Sequence, residues 1–267
     1  MSVKSSILHY KHIIVSKLNK YRVIILLRIY KEYIGFLDYK KGKIAMKIGN
    51  PMQEYRLHAC EKEPETIAWI EEYMGSGSIF YDIGANVGAY SLVCNVWTKG
   101  KAKIYAFEPS HLTFAALSEN IALNNASSSI IPLNIAVSDS NKLLRIRLSN
   151  EAAGAASHEM IMNEYLKVEN QDRIVIGFRL DDLFNIFNLE SPNFIKLDVD
   201  GCEWQVLLGS KEVLQKEGLK SILVEIDSSS ENSQKIIHLL ESYGFELKRT
   251  YSHGEGTISN CIFKRMN

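Results

Sequence analysis

Cysteine is sparse and unpaired in this chain: Cys60, Cys94, Cys202 and Cys261 are scattered, and no two form a C-x-x-C unit. The four read as buried thiols of an intracellular protein. Long apolar runs are missing as well. The longest near the start, VIILL at Val23 to Leu27, is flanked by Arg22 and Arg28, too short for a signal-peptide core and far too short to cross a membrane. No internal repeat stands out, and the one biased stretch, SSSENS at Ser228 to Ser233, reads as a loop leading into a helix cap. Net charge is absent too, at a formal value of zero.

That zero hides an asymmetry. Residues 1 to 48 carry eleven Lys and Arg against only Glu32 and Asp38, a surplus of nine that the rest of the chain cancels. Two readings fit the basic arm: helix packed on an acidic core, or a foot that touches anionic lipid. The expected location is the cytoplasm, with the inner membrane surface as the place where such a foot would act. An acidic remainder with no aromatic and basic face argues against nucleic acid as a partner.

With 267 residues, 46% of them apolar, the chain is large enough for one core domain and an appendage. Residues 1 to 64 form the expected appendage. Mixed apolar and basic positions from about 5 to 35 suggest one or two helices, and IAMKIGNPMQEYRLH reads as a hairpin turning at Gly49-Asn50-Pro51. The expected core runs from 65 to 267. It opens with a helix over Glu65 to Met74, stopped at Gly75-Ser76-Gly77, and continues as SIFYDIG, a helix from about Tyr90 to Thr98, KIYAFEP, a helix from Ser110 to Asn124, and IIPLNIAV. This order argues for a parallel sheet covered by helices on both faces. LLRIRL and RIVIGF then interrupt it as an antiparallel flap inserted over 142 to 178. The alternation resumes with FIKLDVDG, a helix from about Glu203 to Leu214, SILVEID, a helix from Ser233 to Tyr243, and a closing hairpin. About seven core strands result, mostly parallel, with an antiparallel last strand.

YDIGANVGAY follows the first core strand and sets Asp82, Gly84, Asn86 and Gly88 at alternate positions. Glycines there let the backbone turn tightly and let a ligand approach with no Cβ in the way. A dinucleotide and S-adenosylmethionine both suit such a turn. The dinucleotide fingerprint G-x-G-x-x-G is broken by Asn86 at its middle glycine, and Asp82 suits a cationic amino-acid end better than a phosphate. Glu108 ends the second strand, where an acid accepts hydrogen bonds from both ribose hydroxyls. The plain alternative is a structural strand-to-helix turn with a surface acid nearby.

In FIKLDVDGCEWQVLLGS, Lys196, Asp198 and Asp200 alternate and so share one side of a strand. Such charges are costly to bury unless paired or placed at an open strand end. A structural account stands beside this one: Asp200 to Glu203 resembles a capping box, and Lys196 can neutralise Asp198.

Together YDIGANVGAYS, YAFEP, RLDDL and FIKLDVDGCEWQVLLGS, in this order and spacing, resemble the FkbM-type family of class I methyltransferases, over roughly Ile79 to Glu225. The resemblance implies a Rossmann-like sheet that binds S-adenosylmethionine at the C-terminal ends of its strands. Carried over, it implies that Asp82, Gly84, Asn86 and Gly88 line the methionine end, that Glu108 holds the ribose, that Ala136 to Asp139 lie near adenine, and that Asp198 sits beside the methyl. The family most often has Glu where this chain has Asp200, an acid kept but shortened. The implied activity is O-methylation of a hydroxyl on a sugar, glycolipid or polyketide-like natural product.

An alcohol acceptor needs its proton removed. Asp198, together with Glu203 or Glu225, can be that base if burial raises its pKa, with Lys196 orienting it. His158 in the flap and His253 in the SHGEG loop are alternative bases or substrate contacts, although each also reads as a plain loop histidine. Asp198, Asp200, Glu225 and Asp227 offer oxygen ligands of the kind Mg²⁺ takes, but spacing alone does not specify a metal. Two rival functions remain at the level of sequence: an NAD-dependent oxidoreductase, and a non-catalytic membrane-surface protein that keeps a cofactor fold.

Overall fold

The structure is a computed structural model and describes residues 32–147, 153–154, 159–161, 172–252 and 256–266. The basic arm before residue 32, and with it the question of lipid contact, lies outside the described residues, as do His158 and His253.

The first described elements are the antiparallel strands β1 (Tyr33–Phe36) and β2 (Ala45–Ile48). Residues 33 to 35 are therefore strand, where the mixed apolar pattern predicts helix. The expected hairpin at Gly49-Asn50-Pro51 is also overturned. Its turn comes earlier, closed by Leu37 N donating to Ile44 O at 3.0 Å, and Asn50 instead caps helix α1 (Pro51–Tyr55). The Asn50 Oδ1 accepts from Met52 N at 2.9 Å and Gln53 N at 3.0 Å, and Pro51 occupies the first helical position, where its missing N–H costs nothing. A 3₁₀ turn (Arg56–His58), α2 (Ala59–Lys62) and α3 (Pro64–Tyr73) follow.

The core continues as β3 (Ile79–Ile83), α4 (Ala89–Trp97), β4 (Lys103–Phe107), α5 (His111–Leu123), β5 (Ile130–Leu133), β6 (Ala136–Val137), β7 (Lys142–Arg147), β8 (Glu159–Ile161), β9 (Asp172–Phe178) and α6 (Leu180–Ile186). It ends with β10 (Phe194–Leu197), α7 (Glu203–Leu208), α8 (Lys211–Leu214), β11 (Ser221–Asp227), α9 (Ser233–Ser242), β12 (Phe245–Ser252) and β13 (Ile258–Arg265). Seven strands make the main sheet, in the order β12-β13-β11-β10-β3-β4-β5. Only β13 runs antiparallel to its neighbours, so the Rossmann-like α/β arrangement with an antiparallel last strand is present.

A second sheet, β6-β9-β7-β8, carries the flap. It divides the expected strand IIPLNIAV, because Ala136 and Val137 leave the main sheet and pair in parallel with β9. Asn134 fixes the break, its Nδ2 donating to the carbonyls of Glu108 at 2.8 Å and Pro109 at 3.0 Å. The expected helix over 203 to 214 is likewise two helices. At Gly209 an added Cβ would lie 1.9 Å from the Ser138 carbonyl oxygen, and α8 restarts with Asp181 Oδ1 accepting from Glu212 N and Val213 N, both at 3.0 Å. Asp181 stands on α6, a short helix that sequence periodicity does not predict.

Alternation along β3 sorts the two faces of the sheet. Tyr81 and Ile83 pack with Phe107, Leu197, Val206 and Val224 on one side, whereas Phe80 points to the other, where Trp69, Leu92 and Leu117 fill the core. Asp82 shares the Phe80 face and pairs in register with Lys196 on β10. Both side chains are fully buried, so the central strands carry an acid and a base side by side within the core.

Candidate active site

A cleft opens over the C-terminal ends of β3, β4, β10 and β11, enclosing about 1160 Å³ including its solvent mouth. In open α/β sheets this is where ligands bind.

The glycine turn forms its floor. Gly84 adopts φ +85°, and a Cβ there would meet the Asp198 carbonyl oxygen at 1.8 Å, so the ends of β3 and β10 can touch only through glycine. Asn86 is left-handed at φ 49°, and its Oδ1 accepts from Val87 N at 2.9 Å, the local bond that lets asparagine tolerate this conformation. The remaining amides are also engaged. Gly84 N and Ala85 N donate to Phe107 O at 3.0 and 2.9 Å, and Gly88 N donates to Ala85 O at 2.9 Å. Asn86 N donates to Glu108 Oε2 at 3.0 Å. Every amide from Gly84 to Gly88 thus has a partner inside the protein, and one of those partners is a carboxylate. A phosphate-binding turn needs free N–H groups, and none of these five is free.

Glu108, buried, also accepts from Ser110 N through Oε1 at 2.8 Å. Each oxygen keeps a lone pair for a further donor. Burial pushes its pKa up to about 7, against the pull of the two backbone donors. Ile135, Ala136 and Val137 extend an apolar wall from Phe107. Asp139 stands off this wall and accepts from Ser140 Oγ at 2.6 Å. Asp82 lies beneath the floor, where Ser91 Oγ donates to its Oδ2 at 2.6 Å and its Oδ1 has no hydrogen-bond partner among the described residues. Burial raises the Asp82 pKa, with Lys196 opposing.

At the end of β10, Lys196 Nζ donates to Asp198 Oδ2 at 2.6 Å and lies 4.9 Å from the centre of the Tyr90 ring. Burial disfavours the ammonium, but Asp198, Glu63 and Asp82 together keep its pKa above the ordinary lysine value. Burial likewise disfavours the Asp198 carboxylate, yet Lys196 prevails and its pKa is lowered. The expectation that burial raises the Asp198 pKa is therefore corrected. Glu225 on β11 also lines the cleft; burial and then the charge of Asp198 push its pKa up to about 8.

Glu203 is placed elsewhere. Its Oε1 accepts from Val199 N at 3.0 Å and Gly201 N at 3.2 Å, tying down the loop before α7 and standing outside the cleft lining. The expected capping box does not form: Cys202, not Asp200, stands before α7, whose first residue is Glu203, and Asp200 sits at φ 54° on the cleft wall. Asp227 is turned to its own loop, accepting from Ser229 N at 2.9 Å, so the four acids weighed for Mg²⁺ are not gathered in one place.

Sequence reasoning expects the N-terminal segment to contribute to the cleft but names none of the residues on the wall opposite the sheet. Tyr55 ends α1, Arg56, Ala59, Lys62 and Glu63 come from the segment between α1 and α3, and Tyr90 comes from α4. Glu63 is buried, accepting from Lys62 Nζ at 3.0 Å. The signal available in the sequence was Asn50-Pro51, a helix start whose reading as a turn hid the short helices behind it.

Residues 82–247 match the family model described as methyltransferase FkbM domain. The chain is 28% identical over 172 residues to hexuronic acid methyltransferase AglP of Haloferax volcanii, covering 64% of this chain and 65% of that protein. It is 23% identical over 193 residues to 31-O-demethyl-FK506 methyltransferase FkbM of Streptomyces tacrolimicus, covering 63% of this chain and 73% of the other. Among solved structures, methyltransferase FkbM from Methylobacillus flagellatus has a similar fold, with a TM-score of 0.53 at 15% identity over 80% of this chain and 52% of that one. The match thus spans just under two thirds of the archaeal relative and about half of the solved structure.

Proposed function

Because this chain belongs to the FkbM methyltransferase family, we propose that it transfers the methyl group of S-adenosylmethionine to a hydroxyl of a sugar, glycolipid or polyketide-like acceptor. The observation that carries the cofactor reading is the glycine turn. Its amides are all bonded within the protein and one of them is held by Glu108, which suits a ligand with a ribose and no phosphate at that place. Family membership sets aside the oxidoreductase alternative.

Glu108 would hold the ribose hydroxyls with its remaining lone pairs, Ile135 to Val137 would cover the adenine, and the Gly84 turn with Asp198 would face the amino-acid end. When bound, the cofactor supplies an electrophilic methyl carbon, and orienting the acceptor oxygen provides much of the acceleration. Glu225 is the carboxylate we assign to the acceptor proton. It lines the cleft, and its pKa of about 8 lies in the range a general base needs. Asp198, fixed by Lys196, is a weaker base and a better electrostatic partner for a sulfonium. The sugar and polyketide-like acceptors are supported by the names of two relatives, a hexuronic acid methyltransferase and a 31-O-demethyl-FK506 methyltransferase.

Titration calorimetry tests this reading. Wild type should bind S-adenosylmethionine and ignore NADH, and Glu108→Ala should weaken the cofactor by about tenfold or more, the loss expected for hydrogen bonds to a charged acceptor. Wild type that takes up no S-adenosylmethionine, or a Glu108→Ala variant of unchanged affinity, would sink it.

A further inference from the structure

Arg56 is the one cation of the cleft lining that lacks a carboxylate partner among the described residues. Lys62 bonds Glu63 at 3.0 Å and Lys196 bonds Asp198 at 2.6 Å. Arg56 donates from Nε to the Gly154 carbonyl at 3.0 Å, which joins the segment after α1 to a piece of the flap. Gly154 in turn rests against Gln53 of α1, and its N donates to Thr113 Oγ1 at 3.4 Å. Among the described residues, Nη1 and Nη2 have no hydrogen-bond partner. The guanidinium is half-buried on the cleft wall, and its charge is felt at Glu108, Asp198 and Tyr90. It therefore shares one cleft with the ribose-side acid and the end of β10, and is within electrostatic reach of both.

A fixed cation at that place repels a sulfonium unless the same ligand, or the second substrate, brings an anion to it. We propose that Arg56 is a carboxylate anchor, receiving in its fork either the α-carboxylate of the cofactor or an acid group on the acceptor. The planar guanidinium matches a carboxylate with two parallel N–H bonds, a geometry lysine does not offer. The first source rests on the S-adenosylmethionine reading above, and the second does not.

Calorimetry on the full chain tests the anchor. S-adenosylhomocysteine carries the amino-acid end and methylthioadenosine lacks it. Arg56→Gln keeps a donor for the Gly154 carbonyl and deletes the charge; Arg56→Lys keeps the charge without the fork. If the cofactor supplies the carboxylate, Arg56→Gln binds S-adenosylhomocysteine about tenfold or more weakly, Arg56→Lys recovers part of the loss, and methylthioadenosine affinity stays at the wild-type value. If the acceptor supplies it, S-adenosylhomocysteine binding is unchanged, and wild type loaded with it binds glucuronate but not glucose, a preference that Arg56→Gln loses.

Unchanged S-adenosylhomocysteine affinity with no preference for glucuronate overturns the proposal. So does a loss shared equally by methylthioadenosine, which would mark damage to the cleft as a whole. Wild type that binds neither nucleoside defeats the cofactor reading instead, and the comparison of glucuronate with glucose, made on the unloaded protein, then decides the anchor alone.

Discussion

Glu225 and Asp198 stand on neighbouring strand ends and are pushed in opposite directions: burial and the charge of Asp198 raise the one to about 8, and Lys196 holds the other down. In the proposed mechanism the two carboxylates divide the labour by environment, one able to exchange a proton near neutrality and one kept ionised. A base must be ionised to act, so methyl transfer should climb as pH rises through about 8. Glu225→Gln should lower kcat by about a hundredfold or more and remove that climb, with cofactor affinity unchanged. A variant whose pH profile still rises through the same range would place the base elsewhere. Only part of this is legible in sequence. The run Lys196, Asp198, Asp200 announces a charged strand end, but which acid loses its proton easily depends on how Lys196 is shared, and that is a property of burial and distance.

At the scale of elements, legibility follows the origin of each boundary. The helices over Ala89–Trp97, His111–Leu123 and Ser233–Ser242 fall within a residue or two of their expected spans, because apolar periodicity and flanking polar residues are local signals. The division of the helix after Glu203 is not local, since Gly209 must pass against the carbonyl of Ser138 from another part of the chain. The departure of Ala136 from the main sheet, fixed by Asn134 bonding back to Glu108 and Pro109, is of the same kind. At Asn50-Pro51 the signal was local but ambiguous, as the pair begins a turn or a helix equally well. The bonds from Met52 N and Gln53 N decide it. Asn50→Ala should therefore cost about 1 kcal/mol of stability in chemical denaturation. No measurable loss would mean that the cap is idle.

For the molecule as a whole, Glu108 and Glu203 at about 7 and Glu225 at about 8 all lie above the ordinary glutamate value of 4.5, with burial as the first cause in each. The folded chain then keeps protons that the unfolded chain releases, so this contribution to stability is full below about pH 4.5 and is lost as pH climbs through 7 and 8. Thermal melts of the ligand-free protein should show a midpoint that falls between pH 5 and pH 8, with Glu225→Gln flattening the upper part of the slope. A midpoint that rises over this window contradicts the assignment. The motifs for the glycine turn and the strand ends lie within the family match over 82–247, whereas the opposite wall, Tyr90 apart, comes from residues 55 to 63, ahead of it. No motif marks those residues, because their role exists only once the chain has folded back over the strand ends.

The fully bonded glycine turn also bears on kinetics. A loop that has already settled its own amides has no ordering left to do when a ligand arrives. It acts as a rigid platform, and encounter with the nucleoside needs no loop closure on the sheet side. Any closure that accompanies turnover is then expected on the other side of the cleft, where Arg56 of the N-terminal segment bonds Gly154 of the flap.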